Sequence, residues 1–315
     1  MKRLSKILLL ILFAALIFLP PFLDNYVVYL LNIVCIAVMI STGLNLVTGY
    51  AGQTNLGQSG FVAIGAYATT IFMTKLGIWF WAALPLGAII AALAGLGIAI
   101  PSLRIKGVYL ALVTFGFASI VEMILIHWVS LTRGPDGLQV PSPQLGPFSF
   151  NSDLRMFYLI FAITIIMVFL AKNIIASRVG RAFISIRDSE IAAKSVGVDV
   201  TAYKIIAFVL SAFYGGIAGG LYAALVMFIS PDAFGVLESI IYITMIVVGG
   251  MGSILGAIIG GVVLSLLPEI LRGLKEVQEF VFGAVLVISL IFLPNGLVGL
   301  FEKFRKEKKS VVEQK

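Results

Sequence analysis

The chain has 315 residues, of which 60% are hydrophobic and 12% charged, with a formal net charge of +7 and a mean hydropathy of +1.10. Soluble domains run nearer about 45–50% apolar and about 25% charged, which excludes a soluble enzyme, a nucleic-acid reader and a disordered scaffold. The one cysteine, Cys35, allows no internal disulfide and no cysteine-based metal site.

Apolar runs follow one another at 7–23, 26–48, 57–76, 78–100, 108–131, 154–171, 204–228, 233–250, 253–271 and 280–297. They approach the roughly 20 residues a helix needs to cross hydrocarbon, and they lack the alternation of barrel strands. The expected fold is an all-α polytopic membrane protein: one transmembrane domain over 1–315 with about ten transmembrane helices. Lys2, Arg3 and Lys6 before the first run imitate a signal peptide. Pro20, Pro21 and bulky Phe22 follow it with no small-x-small cleavage site, so a retained anchor is expected. The runs 57–76 and 233–250 are the ones that could be re-entrant or broken. Gly57, Gly60 and Gly65 interrupt the first, and Pro231, Asp232 and Gly235 open the second. Losing one alone would put the basic tail on the far side, so the two stand or fall together.

Basic loops resist translocation. With the N-terminus cytoplasmic and ten crossings, seventeen of the 22 lysines and arginines fall on the cytoplasmic side and five on the other. Both termini are then cytoplasmic, with a basic tail at 298–315. The positive charge is a topology signal directed at membrane lipids, and no nucleic acid is expected as a partner. The Gly- and Pro-rich stretch 132–153 forms a turn-rich loop on the outer side, either a connector or a docking surface. The stretch 172–203 forms the cytoplasmic loop. In it Asp188 is placed to cap a short helix from Ser189 to Val196, ended by Gly197 in a left-handed position. Such a helix rests either on lipid headgroups or in the groove of a cytoplasmic partner.

Asn45, Thr48, Gln53, Thr54, Asn55, Gln58 and Ser59 are uncharged polar residues in apolar surroundings, with glycines at 49, 52, 57 and 60. Interrupted helices at membrane depth are tolerated where they are buried in protein or line a water-filled cavity. Asn55 is placed to cap the helix that follows, with Gln58 reaching back to it. The readings left open are a lining of a translocation path and simple helix packing through small residues and amides. Glu122 is the acid within run 108–131, which makes it a functional candidate by default. It either gates or meets a substrate ammonium, or it is satisfied by a neighbouring helix. The Gly215-Gly216, Gly219-Gly220 and Gly260-Gly261 pairs favour close helix contact, within the chain or with a second subunit. Trp79, Trp81 and Trp128 fall near span ends as interface anchors.

Three stretches carry a resemblance. Arg187 to Gly197, with Asp188, Glu190, Ala192, Ala193 and Gly197, resembles the Glu-Ala-Ala-x-x-x-Gly loop of ABC importer permeases, although Ile191 stands where that pattern has Glu. Thr42 to Phe61 and Val248 to Ala257 are similar to the glycine-rich signatures of branched-chain amino acid permeases of the LivM type. The resemblance implies a permease subunit in a bacterial inner (plasma) membrane. Its implied partners are two cytoplasmic ATP-binding subunits, a second permease subunit forming a heterodimer, and a periplasmic or extracellular solute-binding protein. It makes 187–197 the helix that sits on an ATPase subunit. Read from their own chemistry, Asn45, Gln53, Asn55, Gln58 and Glu122 are the candidates for lining the substrate path.

The chain carries no phosphate-binding Gly-x-x-x-x-Gly-Lys-Ser/Thr loop, no His-Glu-x-x-His and no Gly-x-Ser-x-Gly. With one histidine besides, no catalytic residue, metal site or cofactor is expected, and ATP hydrolysis would belong to partner subunits. The alternative is an ion-coupled secondary transporter of a small solute with Glu122 as the coupling carboxyl.

Overall fold

The computed structural model describes residues 18–105, 107–146 and 148–271, together with 280, 281, 283, 284, 287 and 296–299. The runs 7–23 and 280–297 and the basic tail lie wholly or mostly outside the described residues. The other eight runs are all helices. In chain order they are α1 (Asn25–Asn45), α2 (Gln58–Thr74), α3 (Phe80–Ser102), α4 (Val108–His127), α5 (Asp153–Ala176), α8 (Val200–Val226), α9 (Val236–Gly249) and α10 (Ile254–Ile270). Two helices missing from that series, α6 (Arg178–Asp188) and α7 (Glu190–Ser195), join α5 to α8.

Among the described residues, six helical stretches are long and apolar enough to cross a membrane, α1 being extended to Tyr50 and α9 counted from Pro231. The chain is a multi-pass membrane protein. At 17 residues each, α2 and α10 rise only about 25 Å, short of a hydrocarbon core of about 30 Å. Run 57–76 thus yields a short helix. In run 233–250 the helix proper begins only after the turn Pro231–Phe234, because proline and the extended Gly235 delay it.

Helices α1 and α8 form the centre of the bundle. Helix α8 packs on α1, α2 and α3, while α1 also packs on α5 and α10, and α9 lies against α10 and α1. Small residues permit this approach. A Cβ on Gly65 would overlap the backbone of Gly216, and one on Gly219 would overlap the carbonyl oxygen of Val62. The Gly-Gly pairs therefore make contacts within the chain, as does Gly260 against the Met245 carbonyl. Tyr214 donates to the Met167 carbonyl oxygen at 2.7 Å, tying α8 to α5.

One end of the bundle carries the 132–153 loop. Its strand β1 (Leu138–Gln139) pairs antiparallel with Phe228–Ile229 just after α8, and β2 (Gln144–Leu145) pairs with β3 (Phe148–Ser149). Trp79 and Trp81 both donate their indole N–H to the Gln144 carbonyl oxygen, at 2.8 and 3.0 Å. These two tryptophans pin the loop as well as standing near span ends.

The 172–203 stretch is not a loop around one short helix. Lys172 is still in α5, Tyr203 is already in α8, and α6 fills much of the space between. Gly180, Ala182, Phe183 and Ile186 bury one face of α6, while Arg178, Arg181 and Arg187 stay exposed. Apolar positions recurring three and four apart were the sequence signal for it.

Candidate functional site

Helix α1 does not simply end. Its last residues widen into a π turn, Leu46–Tyr50, a form that concentrates at functional positions. Gly52 then reverses the chain at φ +67, and an extended segment leads to α2. Backbone groups of such a segment must find partners inside the protein. The Gln53 N–H donates to the Val47 carbonyl at 2.9 Å, and the Leu56 N–H to Thr114 Oγ1 on α4 at 2.9 Å.

The side chains of Asn45, Gln53, Asn55, Gln58 and Ser59 are buried and committed, while Thr48 Oγ1 finds no hydrogen-bond partner. Asn45 donates from Nδ2 to the Ser253 carbonyl at 2.9 Å and accepts at Oδ1 from the Gly252 N–H at 2.9 Å. It thereby clamps the end of α1 to the turn between α9 and α10. Gln53 donates to the Ala51 carbonyl at 3.1 Å. Asn55 does not cap α2, because the capping position is Gly57. Its Oδ1 instead accepts from the Gly57 N–H at 2.9 Å, while its Nδ2 donates to Gln58 Oε1 at 3.3 Å. Gln58 also accepts from Ser211 Oγ at 2.9 Å and donates to the Ser211 carbonyl at 3.2 Å on α8. Ser59 and Ser239 join α2 to α9 through an Oγ–Oγ hydrogen bond of 2.7 Å. The sequence grouping of Asn55 with Gln58 holds in space, through side chains rather than through a cap.

Glu122 is half-buried on α4, with its carboxylate beside Gly235, where a Cβ would lie 3.6 Å from Oε1. It stands apart from the Asn45 and Gln58 clusters.

The second unit is the α6–α7 hairpin at the other end of the bundle. Asp188 is the last residue of α6 rather than the cap of α7. The chain turns extended at Ser189 (φ −164, ψ 113), and Ser189 Oγ accepts from the Ala192 N–H at 3.2 Å. Gly197 has the left-handed backbone expected, at φ +83. Its N–H donates to the Lys194 carbonyl at 3.1 Å, and the Val198 N–H to Ala193 at 3.0 Å, which closes a Schellman cap.

Around this short helix the side chains divide sharply. Ala193 is buried, Ala192 is exposed, and Ile191 and Val196 are 81% and 77% exposed. A groove of about 600 Å³ runs beside them between Leu103 and Asp199. Glu190 points inward to Lys204, with Nζ 2.5 Å from Oε1 and the lysine side chain only 2% exposed. Removing one partner of a buried pair costs roughly 3–5 kcal/mol, and Glu190's access to water places this pair at the low end. Lys204→Met is therefore expected to unseat α7, read as faster tryptic cleavage at Lys194 in the detergent-solubilised protein. Unchanged cleavage would show that the pair does not hold the helix.

Arg187 joins the two units. Its Nη1 donates to the Gly49 carbonyl at 3.3 Å, while Asp188 Oδ1 accepts from Nε and Nη2 at 3.2 and 3.1 Å. The side chain crosses Gly52, where a Cβ would come within 2.9 Å of Arg187 Cγ, and its Nη1 lies against Gly252. Sequence reasoning gave Arg187 no separate role, because its partners lie far off in the chain.

Sequence reasoning also missed Glu238. It sits in the first turn of α9 and lines a cavity of about 300 Å³ between α1, α8, α9 and α10, together with Tyr222, Tyr242 and Ser265. Among the described residues no group of three or more His, Cys, Asp or Glu side chains could hold a metal ion.

Comparison with known proteins gives a consistent result. The family model described as the branched-chain amino acid transport system permease component matches residues 26–290. The high-affinity branched-chain amino acid transport system permease protein LivM of Salmonella typhimurium is 34% identical over 287 residues, covering 84% of this chain and 68% of that protein. The LivM of Escherichia coli is 32% identical over 303 residues, covering 89% and 71%. The permease protein LivH of Escherichia coli is 27% identical over 280 residues, covering 83% and 90%. No solved structure matches the chain.

Proposed function

Because this chain belongs to the branched-chain amino acid transport permease family, we propose that it is a permease subunit of an ATP-driven importer of branched-chain or related amino acids in a bacterial inner membrane. Two cytoplasmic ATP-binding subunits supply the energy. A second permease subunit of similar fold completes the pathway, and likeness to both LivM and LivH supports such a pair. A solute-binding protein docks on the pinned 132–153 loop. Helix α7 is the knob received by an ATP-binding subunit, and the segment Asn45–Ser59 is a movable wall of the path, held by Asn45, Asn55 and Gln58.

The observation that carries this reading is the surface of α7. Two large aliphatic side chains, Ile191 on a helix of six residues and Val196 at its C-cap, project from a unit fixed by a buried ion pair and a Schellman cap. An isolated helix of that length is unstable in water, so the fold spends an ion pair on presenting an apolar tip. Burying one such side chain contributes roughly 1.5–3 kcal/mol to docking.

Because Ile191 is 81% exposed, Ile191→Asp disturbs little inside the chain and is expected to abolish co-purification of the ATP-binding subunits while membrane abundance stays normal. Gly197→Val should weaken the same association to a smaller degree, because only the left-handed backbone is strained and no neighbour is struck. Full retention of the ATP-binding subunits by Ile191→Asp would overturn the assignment of α7.

A further inference from the structure

The cavity at Glu238 has no part in the docking apparatus, yet its chemistry is specific. Ile36 and Ile40 from α1, Met245 from α9 and Leu264 from α10 make an aliphatic wall. Among the described residues Glu238 is the single charged one lining it, and Tyr222 and Tyr242 lie within electrostatic reach of that carboxylate. Glu238 is the eighth residue of the 19-residue stretch Pro231–Gly249 that is long and apolar enough to cross a membrane, so it stands well inside that stretch rather than at its ends. No described side chain gives Glu238 a cation or a hydrogen bond. A carboxylate in that position is costly unless something cationic joins it, and the cavity leaves it accessible. The volume is at the small end of the roughly 300–1,000 Å³ of ligand pockets.

We propose that this cavity holds the transported solute within the membrane. The solute is a neutral aliphatic α-amino acid with its ammonium on Glu238, its carboxylate on the Tyr222 and Tyr242 hydroxyls, and its side chain against Ile36, Ile40 and Met245. The proposal rests on the permease reading and adds a second point of selection to it. An acidic side chain meets the Glu238 charge, a second cation finds no partner in the aliphatic wall, and a solute without an ammonium leaves Glu238 unpaired. The cavity thus selects for one ammonium and one aliphatic body.

The test is radiolabelled leucine uptake into proteoliposomes holding the complete transporter, with its solute-binding protein outside and ATP inside. In Glu238→Gln uptake should fall about tenfold or more, as for loss of a charge-assisted hydrogen bond, while ATP hydrolysis stimulated by the loaded binding protein persists. Uptake within about twofold of wild type would overturn the assignment. Should Glu238→Gln not reach the membrane, Tyr242→Phe decides. A KM raised several-fold with kcat kept supports the site, and an unchanged KM overturns it. Absence of ATP-driven uptake in the wild-type assembly would instead bring down the permease reading and the cavity assignment together.

Discussion

Gly219→Leu is expected to remove the protein from the membrane. A Cβ at Gly219 overlaps the Val62 carbonyl oxygen and comes within 3.0 Å of the Ala66 nitrogen, and both are backbone atoms of α2 that no rotamer change can move. Helices α2 and α8 would have to part along the line where Gly65 meets Gly216, and Gln58 would lose its contacts with Ser211. Overpacking alone costs roughly 1–3 kcal/mol. Unpairing the buried amide adds roughly 1–3 kcal/mol more, so the folded-to-unfolded ratio should drop at least about tenfold. The measurement is membrane abundance and detergent monodispersity beside Gly97→Leu, whose Cβ meets nothing within 4 Å. Equal abundance of the two variants would mean that the bundle tolerates separation there.

Arg187→Gln should leave folding and docking intact and disable transport. The guanidinium connects the α6–α7 hairpin to Gly49 in the π turn and lies over Gly252 in the turn between α9 and α10. Asn45 already ties those two interruptions together. A displacement of the hairpin therefore reaches both broken stretches through one side chain. Because Arg187 is partly exposed and its bond to Gly49 is long, the expected loss of uptake is about tenfold, toward the lower end of what a hydrogen bond to a charged group contributes. The signature is a split: ATP-binding subunits co-purify and hydrolyse ATP, but uptake lags. Ile191→Asp shows the opposite pattern, losing the subunits altogether. If Arg187→Gln transports at the wild-type rate, the link runs elsewhere, through the packed faces of α6 and α8.

Much of this protein is written locally. Ten apolar runs give the helical, multi-pass class, and the eight runs within the described residues became helices with ends shifted by only a few residues, as the run 26–48 and the helix Asn25–Asn45 illustrate. Gly197 was legible because a left-handed helix end favours glycine whatever surrounds it. Asn55 and Gln58 were legible as a pair because they are three residues apart, although what they do depends on Ser211, 153 residues beyond Gln58. The capping residue of α7 was misplaced by one because Asp188 and Ser189 are both good caps, and only the backbone break at Ser189 distinguishes them. Helix α6 went unread because the charged stretch 172–203 resembles a loop until its apolar face has something to rest on.

Composition and hydropathy thus determined by themselves that the chain enters a membrane many times and where each apolar helix among the described residues lies. These properties depend on the transfer of segments from water to lipid, one stretch at a time. The tertiary structure alone decided which polar residues are spent on holding the bundle and which remain available. Asn45 and Gln58 are consumed by partners far away in the chain, Glu190 turns inward to Lys204, and Arg187 bridges two elbows. Glu238 is left facing a cavity. Whether a polar group in the membrane is a strut or a site depends on whether another helix brings it a partner, and that is a property of packing between segments that no single segment carries.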